Sequence, residues 1–184
     1  MRNITKKSVF ILFLSLLLIT NYLSTTDVSA VTISTAQRKI NAQKLVNSKG
    51  LSSKTKYLIY VDLKSRPQTV YVFKGKYQHW SLINSFTCSG GLPGGKETVT
   101  GQFTVQAKGS WFFSSKYQQG GKYYTQFCGN YLFHGLPMNR YYKVVDWTLG
   151  KPASHGCIRL AVSNAKWIYN YMTYGTKVYI PYAY

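Results

Sequence analysis

The apolar positions of this chain fall into three regimes. From Val9 to Ile19 they run together, broken only by Ser15. Residues 31–56 (VTISTAQRKINAQKLVNSKGLSSKTK) are polar and basic. From Tyr57 onward the pattern becomes short β-branched and aromatic runs separated by turn residues, which is how strands read.

YLIYVD (57–62) and TVYVF (69–73), joined through SRPQ, predict a β-hairpin. A strand follows over Gln78 to Cys88, and SGGLPGGKE (89–97) is too glycine-rich to be anything but loop. TGQFTVQ (100–106) alternates and predicts a strand, and TQFCGNYLFHG (125–135) is a further apolar run ending at a His-Gly pair. One stretch has convincing helical spacing. Ala165, Ile168, Tyr169 and Met172 fall at i, i+3, i+4 and i+7, with Ser163 as candidate cap and Gly175 where a left-handed C-terminal residue is wanted. KVYI (177–180) then returns as a strand. The expected fold is mostly β. Within residues 31–56, Ser34 and Gln37 have capping-box spacing for one short helix, since hydroxyl and amide can satisfy end groups reciprocally. As a whole that segment is expected to be a loosely held basic leader, exposed or partly helical. The domain proper is expected to begin near Tyr57.

The opening MRNITKKSVFILFLSLLLITNYLSTTDVSAVT has a basic head, an apolar run and small residues ending Val28-Ser29-Ala30. That order predicts a secretory signal cleaved after Ala30. A retained membrane anchor is the alternative, but the run is short against the ~20 residues of a span. No cysteine stands near the site, which argues against a lipid-attached N-terminus. The organisation expected is therefore 1–30 signal, 31–56 leader and 57–184 catalytic domain, exported to the cell surface or wall. No later apolar stretch is long enough to span a bilayer, so no membrane span is expected after processing.

Charge sharpens the choice of partners. The chain carries 23 basic and 4 acidic residues, a formal net charge of +19, and +17 once residues 1–30 are removed. Such a chain is attracted to polyanions. For an exported protein an anionic cell-wall polymer is the better expectation and nucleic acid a poor one. Charge that merely aids solubility is the plain alternative. The 17 tyrosines read first as sheet-face residues with one polar end, and second as an aromatic groove for glycan.

KPASHGCIRL (151–160) holds one of only three cysteines and one of only three histidines. A metal site needs three or four ligands, and neither CxxC nor HxxxH spacing is present, so no metal is expected. A disulfide is permitted in an oxidising compartment, yet three cysteines leave one over. A buried structural thiol is the ordinary reading, but it does not explain His155, Gly156 and Arg159 clustered around Cys157. A thiol with an ordinary pKa of ~8.5 needs help to act as a nucleophile at neutral pH. An imidazole can take its proton, Arg159 adds positive potential, and Gly156 lets a reacting carbonyl approach backbone donors. These are the parts of acyl transfer.

LFHG (132–135) followed by SHGCIRL (154–160) resembles the signature HG…SHGC[IV]R[LM] of the L,D-transpeptidase family with its YkuD-type catalytic domain. The resemblance runs over roughly residues 57–181. TVTGQFTV is similar to the family's T-P-T-G-x-F motif with Val99 in place of proline, and Asn164 stands where many members carry Asp. The resemblance implies a β-sandwich or barrel with one helix packed beside the active cysteine, and peptidoglycan stem peptides as substrate. It implies Cys157 as nucleophile, His134 as general base and the Gly135 carbonyl as the group orienting its ring. Ser154, His155, Gly156 and Arg159 would line the site, with the Gly156 and Cys157 amides as oxyanion donors. The thiolate would attack the carbonyl of the third stem residue and expel the fourth, and an amine would take the acyl group to give a 3→3 cross-link. Carbapenems would acylate the same thiol, and no cofactor is implied.

His155, two residues from Cys157, is the naive base. Side chains two apart on a strand stand roughly 6–7 Å apart at the base, so a residue from a neighbouring strand is the better partner. Three alternatives stay open: hydrolysis of the acyl-enzyme in an L,D-carboxypeptidase-type reaction, a papain-like cysteine enzyme, and a non-enzymatic wall-binding module. Papain-like enzymes place their histidine far downstream of the cysteine, whereas both histidines here precede it. Cys88 and Cys128 are expected either to pair, leaving Cys157 unbridged, or to remain two reduced buried thiols.

Overall fold

The computed structural model describes residues 33–184, so the expected signal sequence lies outside the described residues. Two helices and nine strands follow in chain order. They are α1 (Thr35–Ser48), β1 (Tyr57–Asp62), β2 (Thr69–Lys76), β3 (His79–Ser89), β4 (Gly101–Thr104), β5 (Ala107–Ser114), β6 (Gln119–Cys128), β7 (Tyr131–Gly135), β8 (Ile158–Leu160), α2 (Val162–Tyr171) and β9 (Lys177–Ile180). All nine strands join one sheet in the order β4-β9-β1-β2-β3-β8-β7-β6-β5. The sheet curls into a half-barrel. Phe103 of β4 meets Phe127 of β6 with ring centroids 5.7 Å apart, although six strands separate them in the sheet order.

The expected hairpin is β1 and β2, paired antiparallel from Tyr57↔Lys74 to Asp62↔Thr69. Its run of apolar residues has a two-sided cause. Alternate side chains face opposite ways, so Ile59, Val61, Val70 and Val72 enter the core inside the curl, while Leu58, Tyr60, Tyr71 and Phe73 face outward. That outer face is covered by Ala42 and Val46 of α1.

Here the structure departs from a loosely held leader. The Ser34 hydroxyl accepts from the Gln37 N–H at 3.2 Å, as the spacing predicts. The Gln37 amide, however, donates to Asn41 at 2.9 Å instead of returning to the cap, so only half of the box forms. The helix then docks through polar side chains. Asn47 accepts the Trp80 N–H at 2.7 Å and donates to the Trp80 carbonyl at 3.0 Å, and Gln43 accepts the Leu82 N–H at 2.8 Å. This part of β3 extends beyond β8, which pairs only with Cys88 and Ser89, so its outer edge would otherwise be open. Helix side chains take the place of a strand there. Arg38 completes the attachment by donating to the carbonyls of Arg66 and Pro67.

α2 also differs in detail. It follows Ala161, which offers no side-chain cap, and Ser163 stands exposed in the first turn. The apolar stripe does bury Ala165, Ile168 and Met172. The helix closes with the Met172 N–H on the Ile168 carbonyl, and Gly175 lies beyond it in the turn before β9. The run 125–135 is two strands, β6 and β7, divided at Gly129 and Asn130. β5 pairs with β6 along its whole length, from Ala107↔Gln126 to Ser114↔Gln119.

Candidate active site

β7 and β8 lie side by side in parallel, with Phe133 opposite Ile158 and His134 opposite Arg159. Cys157 immediately precedes β8. Residues on these two strands, the β5–β6 hairpin and the Ser154–Cys157 loop enclose a cavity of about 700 Å3. Cys157, His134, His155, Ser154 and Arg159 all line it. Gly135 and Gly156 do not line it, and bear on it only through their backbone bonds to His134 and Ser154.

The loop before the cysteine is bonded internally. The Ser154 hydroxyl accepts the Gly156 N–H at 2.9 Å and donates to the Cys157 carbonyl at 2.6 Å. Thr98 donates to the Gly156 carbonyl at 2.8 Å and accepts the Gly91 N–H. Gly156 has φ +119, and a Cβ there would stand 2.7 Å from the Tyr131 ring, so this turn requires glycine. The Gly156 amide, expected as an oxyanion donor, is therefore committed to Ser154. The Cys157 amide remains the candidate.

His134 is buried, and its Nδ1 lies 2.5 Å from the Gly135 carbonyl. A carbonyl only accepts, so Nδ1 carries the proton and Nε2 is the bare nitrogen. Phe112 packs edge-on against the ring at 5.2 Å. Burial is the main reason its pKa falls to about 4, with Arg159 lowering it further against the Gly135 hydrogen bond. The ring is neutral at pH 7 and able to take a proton.

Cys157 is partly exposed, and its thiol donates to the Asn130 carbonyl at 3.4 Å. Burial pushes the thiol pKa up, while the Leu132 amide and Arg159 oppose the rise. Resting cysteine and histidine are thus a neutral thiol and a neutral imidazole, not an ion pair.

His155 stands elsewhere on the wall. Its ring stacks on Tyr117 at 4.1 Å and 13°. Burial and the charges of Lys96, Arg159 and Lys116 lower its pKa. Arg159 is buried, and its Nη1 lies 2.5 Å from Asp146, whose side chain is 35% exposed. Asp146 carries no weight in the sequence reading. Its signal is scarcity, since with 4 acids against 23 bases a buried arginine has few carboxylates to choose from.

The expected pairing of Cys88 and Cys128 is not found: all three cysteines are free. Cys88 on β3 and Cys128 on β6 are separated by β8 and β7. At ~4.8 Å per strand that exceeds the ~7 Å Cα separation a disulfide tolerates. Cys88 is wholly buried in the core, and burial raises its pKa far above the ordinary thiol value. Among the described residues no three His, Cys, Asp or Glu side chains gather as metal ligands.

Residues 56–180 match the family of the YkuD L,D-transpeptidase catalytic domain, well over half of the chain. The chain belongs to this family. Among curated relatives, the Bacillus subtilis (strain 168) protein named "Putative L,D-transpeptidase YciB" is 37% identical over 130 residues. That match spans 66% of this chain and 65% of the relative's length. A solved Clostridium acetobutylicum ATCC 824 structure, a fused Zn-dependent amidase/peptidase/peptidoglycan-binding domain-containing protein, is 41% identical with a TM-score of 0.65. The match covers 88% of this chain and 72% of that one. An L,D-transpeptidase from Stackebrandtia nassauensis shares the fold at 22% identity and a TM-score of 0.52, covering 80% of this chain and 66% of that one. The mostly β fold expected of the L,D-transpeptidase family is thus present, with two helices where the resemblance implies one: α2 packs into the core inside the curl and α1 covers the outer face.

Within this L,D-transpeptidase domain the sequence reading misses the residues that shape the histidine's surroundings. Phe112 and Gly121 come from the β5–β6 hairpin, whose lysines, glycines and aromatics have no clean two-residue period. Their role depends on packing across strands, which no local pattern announces.

Proposed function

We propose that this protein is an exported cysteine enzyme of the cell wall that acylates Cys157 with a peptidoglycan stem peptide and passes the acyl group to an amine, forming 3→3 cross-links. The observation that carries the reading is the neutral His134, held by Gly135 with Nε2 bare, in the same cavity as Cys157.

His134 Nε2 takes the thiol proton as sulfur attacks the carbonyl of the third stem residue. The Cys157 amide faces the developing oxyanion, and the nearby Arg159 favours the negative charge. Collapse breaks the carbon–nitrogen bond, and the expelled amine leaves with the proton from His134. The thioester remains. An incoming amine reverses the steps, giving its proton to His134 and restoring the thiol. The net charge of +17 left after the expected cleavage supports attraction to anionic wall polymers, and the N-terminal pattern supports export.

The test is mass spectrometry of the purified domain incubated with a disaccharide-tetrapeptide. Loss of the fourth residue and appearance of a dimer linked through third residues is the expected result. Tripeptide without dimer would assign hydrolysis instead. No adduct on Cys157, with wall binding retained by Cys157→Ala, would assign a binding module.

A further inference from the structure

The cavity is electrically one-sided. Its lining includes Lys116, His155 and Arg159 but, among the described residues, neither Asp nor Glu. Lys116 is held at this end by a stack of three groups. Its ammonium sits 5.4 Å from the Tyr117 ring centroid, and Tyr117 stacks on His155. Lys96 follows Gly95, which lines the cavity, on the loop that borders it. That loop is fixed to the cysteine loop, because the Leu92 N–H donates to the Ser154 carbonyl and Thr98 donates to the Gly156 carbonyl. The neighbouring Glu97 forms no salt bridge with Lys96, and its carboxylate instead accepts the Gly94 and Gly95 amides at 2.7 and 2.9 Å. Arg159 with Asp146 is the one salt bridge among the described residues. Lys96 and Lys116 therefore have no acidic partner there, and both charges are felt at His155, two residues from Cys157.

We infer that Lys96 and Lys116 form a carboxylate-binding subsite over the His155–Tyr117 wall, and that it holds the free carboxylate of the residue expelled from the donor peptide. The inference rests on the stem-peptide reading for the identity of the anion, and for the subsite on Lys116 in the cavity wall and on the Lys96 loop bonded to the cysteine loop. Distance selects that carboxylate. In an α-amino acid the carboxylate carbon lies two bonds from the amine, so it stands ~2.5 Å from the scissile nitrogen. With the reacting carbonyl at Cys157 Sγ, that anion falls beside the sulfur, within reach of flexible lysines anchored at this end. Two ammonium groups give attraction without bidentate geometry, which suits an anion that must leave after each turnover.

Two measurements test this. The first compares alkylation of Cys157 by iodoacetate and by iodoacetamide, read on the Cys157 peptide by mass spectrometry. In both, sulfur displaces iodide, and the reagents differ in charge. The ratio of the two rates should fall about two- to tenfold in the Lys96→Ala/Lys116→Ala protein, and double Lys→Arg replacement should preserve it. The wild-type preference should shrink in about 0.5 M salt. The second compares acylation by a tetrapeptide ending in a carboxylate and by its carboxamide. Wild type should prefer the acid through KM, and the double alanine variant should lose that preference by a similar factor. An unchanged alkylation ratio would overturn the subsite. A changed ratio with an unchanged acid-to-amide preference would overturn its assignment to the leaving residue. A changed ratio with neither peptide acylating would sustain the anion subsite and overturn the stem-peptide reading.

Discussion

Gly121 of β6 stands so close to His134 that a Cβ there would lie 2.5 Å from the imidazole Nδ1 and 2.9 Å from Cγ. The ring has nowhere to go, because Phe112 closes one side and the Gly135 carbonyl holds Nδ1. Gly121 is thus a positioning residue for the proposed base, and its backbone conformation accepts alanine. Gly121→Ala should fold but lose about 100-fold or more of its acylation rate, the scale of a misplaced general base. Intact mass after timed exposure to a carbapenem measures this, with circular dichroism as the check on folding. Wild-type acylation in Gly121→Ala would show that His134 is not the base.

The depressed pKa of His134 gives two pH signatures. The folded state holds the ring near pKa 4, against an ordinary value of 6.5. Between those values the unfolded chain binds more protons, so stability rises with pH through that window. The contribution is fully present above pH 6.5 and is lost as pH falls toward 4, on the order of 3 kcal/mol in all. Denaturant unfolding of wild type and His134→Asn should diverge across pH 4 to 6.5, the variant lacking that slope. Acylation should likewise keep its acidic limb well below the 6.5 of an ordinary histidine. A limb at 6.5 would mean that the base is exposed in the working enzyme.

Much of this arrangement is legible in the sequence, for reasons that differ by element. The hairpin of β1 and β2 is local, and its β-branched runs and turn announce it. The meeting of His134 and Cys157 in one cavity is non-local, and strand spacing asks only for a base from a neighbouring strand, while the resemblance carried by LFHG and SHGCIRL is what names His134. What escapes is structure made by polar residues in unexpected roles. Asn47 and Gln43 read as solvent-facing positions of a leader, yet they bond the open edge of β3. Val46 supplies only a faint apolar stripe, so no periodic signal marks α1 as part of the domain. Asp146 lies 13 residues before Arg159 with no local pattern linking the two, and only the fold brings them together.

Asp146 joins the loop after β7 to the cavity wall. Its carboxyl is held below the ordinary carboxylate range by hydrogen bonds from Thr148, and further by Arg159. Asp146→Asn leaves a buried guanidinium without its counter-charge, at a cost of about 1–3 kcal/mol given the exposure of the aspartate. A Tm lower by roughly 3–10 °C is expected. Acylation should fall as well, because Arg159 loses its anchor, and Asp146→Glu should restore part of both. Since the folded carboxyl is the more acidic, this stability holds above the unfolded carboxylate pKa and fades as pH drops through the folded one. Equal Tm and activity in Asp146→Asn would show the ion pair to be idle.

The attachment of α1 predicts a stability effect without a catalytic one. Asn47→Ala removes both bonds to Trp80 and leaves backbone groups at the β3 edge seeking water. A loss of about 1–3 kcal/mol is expected from denaturant melts. Acylation of the remaining folded protein should be unchanged, because the helix covers the face of the sheet opposite the core inside the curl. A loosely held leader would show no loss of stability at all.

The last prediction separates the two histidines of the cavity. His155 is the nearer in sequence, but its ring lies flat on Tyr117, where it builds the wall instead of meeting a proton. His134 has its tautomer fixed by Gly135 and its charge suppressed by burial, the two properties a base needs before the thiol arrives. His134→Ala should therefore lose about 100-fold or more in acylation, within the range expected of general-base removal. His155→Ala should acylate more slowly, by about 3- to 30-fold, as a stacking contact and some cavity shape are lost. Timed intact-mass measurements on both variants, with the same carbapenem, give the comparison directly. Fast acylation of His134→Ala with none in His155→Ala would reverse the assignment, and with it the claim that the parallel pairing of β7 and β8 builds the site.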